Sequence, residues 1–325
     1  MAAMGIAFFQ RGLASAAEFV ELLRELERTS SFEYAVLTEA YTEAMTALAA
    51  AAQATERVKL ATGIANIYWR HPYALAMAAA NVASLSDNRL LLGLGTGHQP
   101  VNVAGLGYDM SKPLSRMRDY VALLRGMLSA DVEVDQFVDL ETERYRARQV
   151  RMGWPAGDVP LLIGALGENM IRLTGEVSDG VILSLSPRQR LPLVRSLLAE
   201  GAARVGRDPG DVPVFSFVNT VLRDTREEAR PLLRRTVEGY LRLPYYAAAL
   251  APYGFDLQQG VTDEQVDALG IAGPEDYARD WLASYREAGV DVPVLSPAGV
   301  FTLEPFDLDT WATYRRLGAL CNSLG

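Results

Sequence analysis

The sequence predicts an α/β fold of the (β/α)8 TIM-barrel class, formed by residues 1–325 as a single domain. Three observations predict it. Eight short, mostly apolar runs are each followed by a stretch with helical apolar spacing. The clearest unit, Glu56–Val101, reads as strand, helix and strand with the spacing of a parallel return. No linker or shift in composition divides the chain. A doubly wound open sheet is the competing architecture. It calls for fewer strands and one nucleotide fingerprint near the N-terminus. The turn Gly93–His98 lacks the third glycine in place and has no helix directly after it.

Met4–Phe9 is the first expected strand, and Ala16–Arg28 a helix with Phe19, Leu22, Leu23 and Leu26 on one stripe. Tyr34–Thr38 is the second strand and ends at Glu39-Ala40-Tyr41; Thr42–Thr55 is an alanine-rich helix. Val58–Ile64 and Leu90–Gly95 are strands three and four, with a helix between them. Lys112-Pro113 opens a helix over Leu114–Leu128, since proline suits a first helical turn. Asp131–Arg151 is polar and irregular, a small β excursion. Val159–Ile163 is the fifth strand, followed by the turn Gly164–Asn169 and the helix Met170–Val177. Gly180–Leu183 is the sixth strand, with a helix from Pro187 to about Val205. Val212–Val221 is the seventh strand and Asp224–Leu241 a long helix. Pro244–Gly260, rich in tyrosine, reads as an excursion over the barrel mouth. Gly273-Pro274 opens a helix to Ala288, Val292–Leu295 is the eighth strand, and Pro305–Leu320 closes the chain.

Composition narrows the function. Half the residues are hydrophobic and 22% are charged, the balance of a globular enzyme. The net charge of −9 argues against a nucleic-acid partner, which favours a basic face. One cysteine, Cys321, allows no intrachain disulfide and no Cys-based zinc site; no metal is expected. The longest span free of Asp, Glu, Lys and Arg, Leu90–Tyr108, is broken by glycines and polar residues and is not a membrane span. The expectation is a cytoplasmic protein acting on a small molecule.

In parallel barrels the chemistry sits at the carboxyl ends of the strands. The turns there are rich in glycine: Thr62–Asn66, Gly93–His98 and Gly164–Asn169. The last opens a helix, so its N–H groups and the positive dipole end suit a phosphate. It also fits a plain βα turn, which favours glycine too. His98, one of only two histidines, ends the fourth strand's turn; it reads either as a proton donor or acceptor or as a hydrogen-bonding turn residue. His71 precedes Pro72 at a helix start and reads as a structural or cofactor-contact residue. Glu39 ends the second strand and reads as a proton-transfer group or as a carboxylate favoured by a helix dipole. Tyr68, Trp69 and, from the excursion, Tyr246 are candidates for an apolar substrate pocket.

The stretches Thr38–Ala65, Arg70–Gly97, Lys112–Leu128, Val159–Leu183 and Tyr285–Pro297, taken in order, resemble the bacterial-luciferase-like flavin and deazaflavin oxidoreductases. The run Thr62–Pro72 (TGIANIYWRHP) is most similar to the branch that uses coenzyme F420, which includes the methylene-tetrahydromethanopterin reductases. The resemblance implies a luciferase-like TIM barrel with insertions and a cofactor at its mouth. It implies a cis peptide at Gly63-Ile64 propping a deazaflavin. It also implies cofactor contacts from Glu39, Gly63, Ile64, Asn66, Thr96 and Gly97, and from Gly164, Ala165, Leu166, Gly167 and Glu168. Glu39 and His98 are the candidate catalytic residues; in the sugar-phosphate dehydrogenases that the chain resembles, a glutamate acting as an acid stands at the position of His98. Luciferase-type members carry an arginine for the FMN phosphate in the turn after the fourth strand; here Thr96 stands there, which favours F420 over FMN. Arg70, Lys112, Arg116 and Arg172 are the candidate cations for the polyglutamate tail of F420. Sugar-phosphate dehydrogenases of this kind follow the strand-two acid with a histidine. Ala40 breaks that pattern and counts against glucose-6-phosphate oxidation. The expected function is hydride transfer between F420 and a small organic substrate, in the reducing direction. An FMN-dependent luciferase-like monooxygenase and a non-catalytic flavin-binding barrel are the alternatives. Leu114–Leu128 and the Thr42–Thr55 face suggest a homodimer.

Overall fold

The computed structural model describes residues 3–9, 12–40, 42–132, 136–298 and 310–324. Twelve strands appear there: β1 (Gly5–Phe8), β2 (Tyr34–Leu37), β3 (Lys59–Thr62), β4 (Ala65–Asn66), β5 (Leu90–Gly95), β6 (Val138–Glu141), β7 (Arg146–Val150), β8 (Leu161–Gly164), β9 (Gly180–Ser184), β10 (Val214–Leu222), β11 (Gly270–Gly273) and β12 (Val292–Pro297). Eight of them form a closed parallel ring, β1-β2-β3-β5-β8-β9-β10-β12, sealed where β12 returns to β1. These are the eight strands expected from the sequence, in the expected order.

The two faces of the ring have different jobs. Ile6, Phe8, Leu37, Leu60, Leu92, Ile163, Leu183 and Leu295 point outward and pack under the helices. Ala7, Val36, Ala61, Leu91, Leu162, Ile182, Phe215 and Val294 form a separate cluster that fills the lumen. The alternation of period two puts every other residue of a strand on each face. Carried to the carboxyl ends of the strands, it reaches Gly63, Gly95, Gly164, Ser184, Asn219 and Ser296. The lumen is filled by apolar side chains below, and above them these small or polar residues share it with Phe9 and Phe217.

The helices follow from their caps and stripes. Helix Ala16–Thr29 starts at Ser15, whose hydroxyl accepts from the Glu18 N–H at 3.1 Å, and it buries Phe19, Leu22, Leu23 and Leu26. Helix Pro113–Leu128 carries proline at its first position and buries Met117, Tyr120, Val121 and Leu124.

Four expectations need correction or completion. The third strand is not continuous to Ile64. It stops at Thr62, the Gly63–Ile64 peptide is cis, and Ala65–Asn66 resumes as β4 against the end of β5. The polar stretch after helix Pro113–Leu128 holds the antiparallel hairpin β6–β7. Residues 133–135 of that stretch, Tyr41 and the Pro305 start of the closing helix lie outside the described residues; its remainder is helix Thr310–Ser323. Past the seventh barrel strand, the excursion contains helices Pro244–Leu250 and Asp263–Leu269 and leads into β11, a strand the sequence reading did not contain. β11 forms because β10 is nine residues long and its second half needs a partner. The excursion has its own apolar cluster, in which Val221, Leu233, Val237, Tyr240, Tyr246, Leu250 and Phe255 are buried together.

Among the described residues, no helix is long and apolar enough to cross a membrane. No group of three or more His, Cys, Asp or Glu residues there is arranged to hold a metal ion.

Candidate active site

Glu39 follows β2 and its side chain is fully buried. One carboxylate oxygen accepts from the backbone N–H of Asn66 at 2.9 Å, just past the Gly63–Ile64 bend. The other accepts from Ala44 N–H at 3.3 Å and from the Arg70 guanidinium. A buried carboxylate needs such donors to offset its lost hydration. Glu39 is thereby committed to holding the bend in place.

Asn66 carries the network onward. Its side-chain oxygen accepts from Tyr68 N–H at 3.0 Å, and its amide nitrogen donates to Asn102 at 3.1 Å. Asn102 is fully buried and also accepts from the Trp69 indole N–H at 2.8 Å. It donates to the Thr96 carbonyl at 2.6 Å, and its backbone N–H donates to the His98 carbonyl at 3.0 Å. Asn102 sits in a turn of π-helix, Pro100–Gly105, of the kind often found at functional sites. The sequence reading missed it, because nothing in Val-Asn-Val-Ala sets it apart. Gly97 fits beneath this network only as glycine: its φ is +64°, and a side chain there would strike the Asn66 amide.

His98 stands across the mouth. Its Nδ1 is hydrogen-bonded to the hydroxyl of Tyr245, which comes from the excursion helix, and the two rings stack with centroids 6.0 Å apart. The Tyr246 ring lies 6.4 Å from His98 and 4.8 Å from Tyr240. Burial pushes the His98 imidazole below its ordinary pKa, and burial pushes the Tyr245 phenol up. At neutral pH the pair is an uncharged imidazole against a protonated phenol.

The third turn, Gly164–Gly167, leads into helix Glu168–Val177. Gly167 gives that helix no side-chain cap, so the first helical N–H groups, at Glu168 and Asn169, are left for another acceptor. A side chain at Gly167 would meet nothing within 4 Å. Ala165 N–H is already used on the Ile182 carbonyl at 3.1 Å, and the Leu166 carbonyl accepts from the guanidinium of Arg190. The Glu168 carboxylate turns outward to Arg172 at 3.4 Å.

The structure thus joins Glu39, Asn66, Thr96, Gly97, Trp69 and His98 through Asn102, and brings Tyr246 to His98. Tyr68 lies under Arg116, whose guanidinium carbon is 4.7 Å from the ring centroid. Of the candidate tail cations, Arg70 is paired with Glu39 and Glu43, and Arg172 with Glu168 and Glu200. His71 caps helix Pro72–Leu85 by accepting from Tyr73 N–H at 3.2 Å, a structural role. A small cavity lined by Thr220, Arg223, Pro297 and Arg316 contains none of these residues.

A closed parallel barrel whose titratable and polar side chains gather at the carboxyl ends of its strands defines the (β/α)8 class. Within that class, residues 4–292 match the family model described as luciferase-like monooxygenase, and the chain belongs to that family. Over 296 residues it is 28% identical to a 5,10-methylenetetrahydromethanopterin reductase of Methanolobus tindarius, covering 85% of this chain and 89% of that one. The solved coenzyme F420-dependent tetrahydromethanopterin reductase of Methanopyrus kandleri superposes with a TM-score of 0.82 at 20% identity, over 98% and 97% of the two chains. The monooxygenase RslO1 of Streptomyces bottropensis gives a TM-score of 0.74 at 21% identity over 98% of each chain. At these identities the two structures show the shared fold.

Proposed function

We propose that this protein is an F420-dependent oxidoreductase that transfers hydride between the deazaflavin and a small organic substrate, working as a reductase. The observation that carries the reading is the His98–Tyr245 pair at a barrel mouth whose upper lumen positions include glycine, serine and asparagine. That arrangement sets a protonated donor beside small side chains, which suits the approach of a planar ring. Thr96 supports F420 over FMN, and the similarity to a 5,10-methylenetetrahydromethanopterin reductase along most of the chain supports the reducing direction.

The residues present fit the cofactor. The uncapped start of helix Glu168–Val177, with open space at Gly167, suits its phosphate. Asn66, Thr96 and Gly97 line the edge of the lumen where the ring would lie, and Glu39 holds Asn66 through its backbone. F420, when bound, supplies two-electron hydride chemistry. The chain supplies the proton, held on the Tyr245 hydroxyl or a ring nitrogen of His98. The tyrosines of the excursion partly cover that proton.

The test is an anaerobic titration of the purified protein with oxidised F420 and, separately, with FMN, followed by tryptophan fluorescence. F420 binding without FMN binding is expected. His98→Gln is then expected to bind F420 normally while the reduced cofactor is consumed about 10²-fold more slowly with a panel of C=C and C=N substrates. FMN binding alone, with oxygen-dependent turnover, makes the protein a monooxygenase. Tight binding with no turnover under any condition makes it a non-catalytic barrel.

A further inference from the structure

The second half of the mouth contains a charge that the proposed chemistry does not use. Arg190 ends a short 3₁₀ turn, Arg188–Arg190, after β9, and only 4% of it is exposed. One of its terminal nitrogens donates to the Leu166 carbonyl. The other, Nη1, is buried with no hydrogen-bond partner, and among the described residues no carboxylate is within ion-pair distance. Tyr253, the Glu168 carboxylate, Tyr285 and Tyr246 are the groups near enough to act on it electrostatically. A buried guanidinium facing phenols, with an idle donor, is costly unless an anion completes it.

Two more buried polar side chains nearby are also incomplete. The Ser186 hydroxyl, four residues before Arg190, has no partner, and neither does the amide nitrogen of Asn219. Ser186 and Arg190 share Tyr285 as a neighbour, since the Tyr285 hydroxyl donates to the Ser186 carbonyl at 2.8 Å. Asn219 lies on β10 two residues past Phe217, which pairs with Ser184 at the end of β9, and Ser186 follows that strand end by two residues. Asn219 continues the lumen face of Phe215 and Phe217.

We infer that Arg190 Nη1, with Asn219 Nδ2 and the Ser186 hydroxyl, forms a subsite for an oxyanion on the substrate, so the substrates of this enzyme are carboxylates with an apolar or aromatic body. The inference rests on the reading of this mouth as a hydride-transfer pocket and adds its substrate class. The aromatic surroundings favour an aryl carboxylate over free phosphate. A phosphate of the cofactor is the other source of the same chemistry, because Arg190 also touches the glycine turn at Leu166.

Benzoate and inorganic phosphate are the probes, titrated calorimetrically into the protein with and without F420. Benzoate is expected to bind, and Arg190→Gln to weaken it about ten-fold or more, as loss of a charge-assisted hydrogen bond implies. Arg190→Lys should restore part of the affinity, and Asn219→Ala should weaken binding to a smaller extent. F420 affinity should be unchanged in all three variants. If Arg190→Gln unfolds, as far-ultraviolet dichroism would show, the lysine and Asn219 variants carry the test. Failure of benzoate to bind with or without F420, or binding that ignores these substitutions, overturns the subsite. Loss of F420 and phosphate binding in Arg190→Gln reassigns the guanidinium to the cofactor and also overturns it. Benzoate binding that depends on Arg190, in a protein that takes up neither F420 nor FMN, leaves the subsite standing and removes the proposed function instead.

Discussion

The two halves of the barrel mouth differ in how far their buried polar side chains satisfy one another. Over strands β2 to β5, the carboxylate of Glu39 and the amides of Asn66 and Asn102 find partners within the chain, and the buried atoms left without a hydrogen bond, the Tyr68 hydroxyl and Arg70 Nη1, lie at the edge of that network. Over β9 and β10, Ser186, Arg190 and Asn219 each keep a buried polar atom without one. A closed network fixes geometry before anything binds; idle donors wait for something to arrive. The first half suits a cofactor that stays, and the second suits a substrate that comes and goes.

This contrast can be broken by substitution, and the largest effect should come from the closed half. Glu39→Ala leaves the Asn66 N–H without its acceptor and Arg70 with Glu43 alone, and should destabilise the fold by about 3 kcal/mol in urea denaturation. A loss under about 1 kcal/mol would mean that water already replaces the carboxylate there. Asn102→Ala leaves the Trp69 and Asn66 donors unpaired and should cost about 2–3 kcal/mol. Its Trp69 emission should shift as the indole loses its partner. Gly97→Ala meets both a positive φ and the Asn66 amide, and about 1–2 kcal/mol of destabilisation is expected by thermal unfolding. The open half should respond differently. Tyr245→Phe should change stability by less than about 1 kcal/mol while slowing turnover about ten-fold or more.

The smallest effect is a pH dependence. Burial holds the His98 pKa below its unfolded value of about 6.5. The unfolded chain therefore binds this proton more readily than the folded one. Stability should fall as pH drops below about 6.5 and be fully present above it. His71 is lowered by burial as well and adds in the same direction. Comparing urea midpoints at pH 7.5 and 5.5 for the parent and His98→Gln isolates the His98 share: the variant should lose less on acidification.

The barrel was legible because its strands are regular. Runs such as Leu90–Gly95 and Gly180–Ser184 are buried on both faces, so they read as continuous apolar segments between turn residues. β11 was not legible: Gly-Ile-Ala-Gly is short, and it is a strand only because β10 overruns its neighbours. Glu39, Asn66, Gly97 and His98 could be picked out because they end strands in a fold whose chemistry gathers there. Asn102 and Arg190 could not. Each acts through a partner distant in sequence, Trp69 in one case and the Leu166 carbonyl in the other. No local spacing announces such a pairing.

The excursion between β10 and β12 folds around its own apolar cluster, separate from the one that fills the lumen. It meets the chemistry through few side chains, chiefly Tyr245 and Tyr246. A segment built this way behaves like a cassette. Grafting the corresponding stretch from a related barrel would exchange the tyrosines that face His98 while leaving Arg190, Asn219 and the ring that carries them in place.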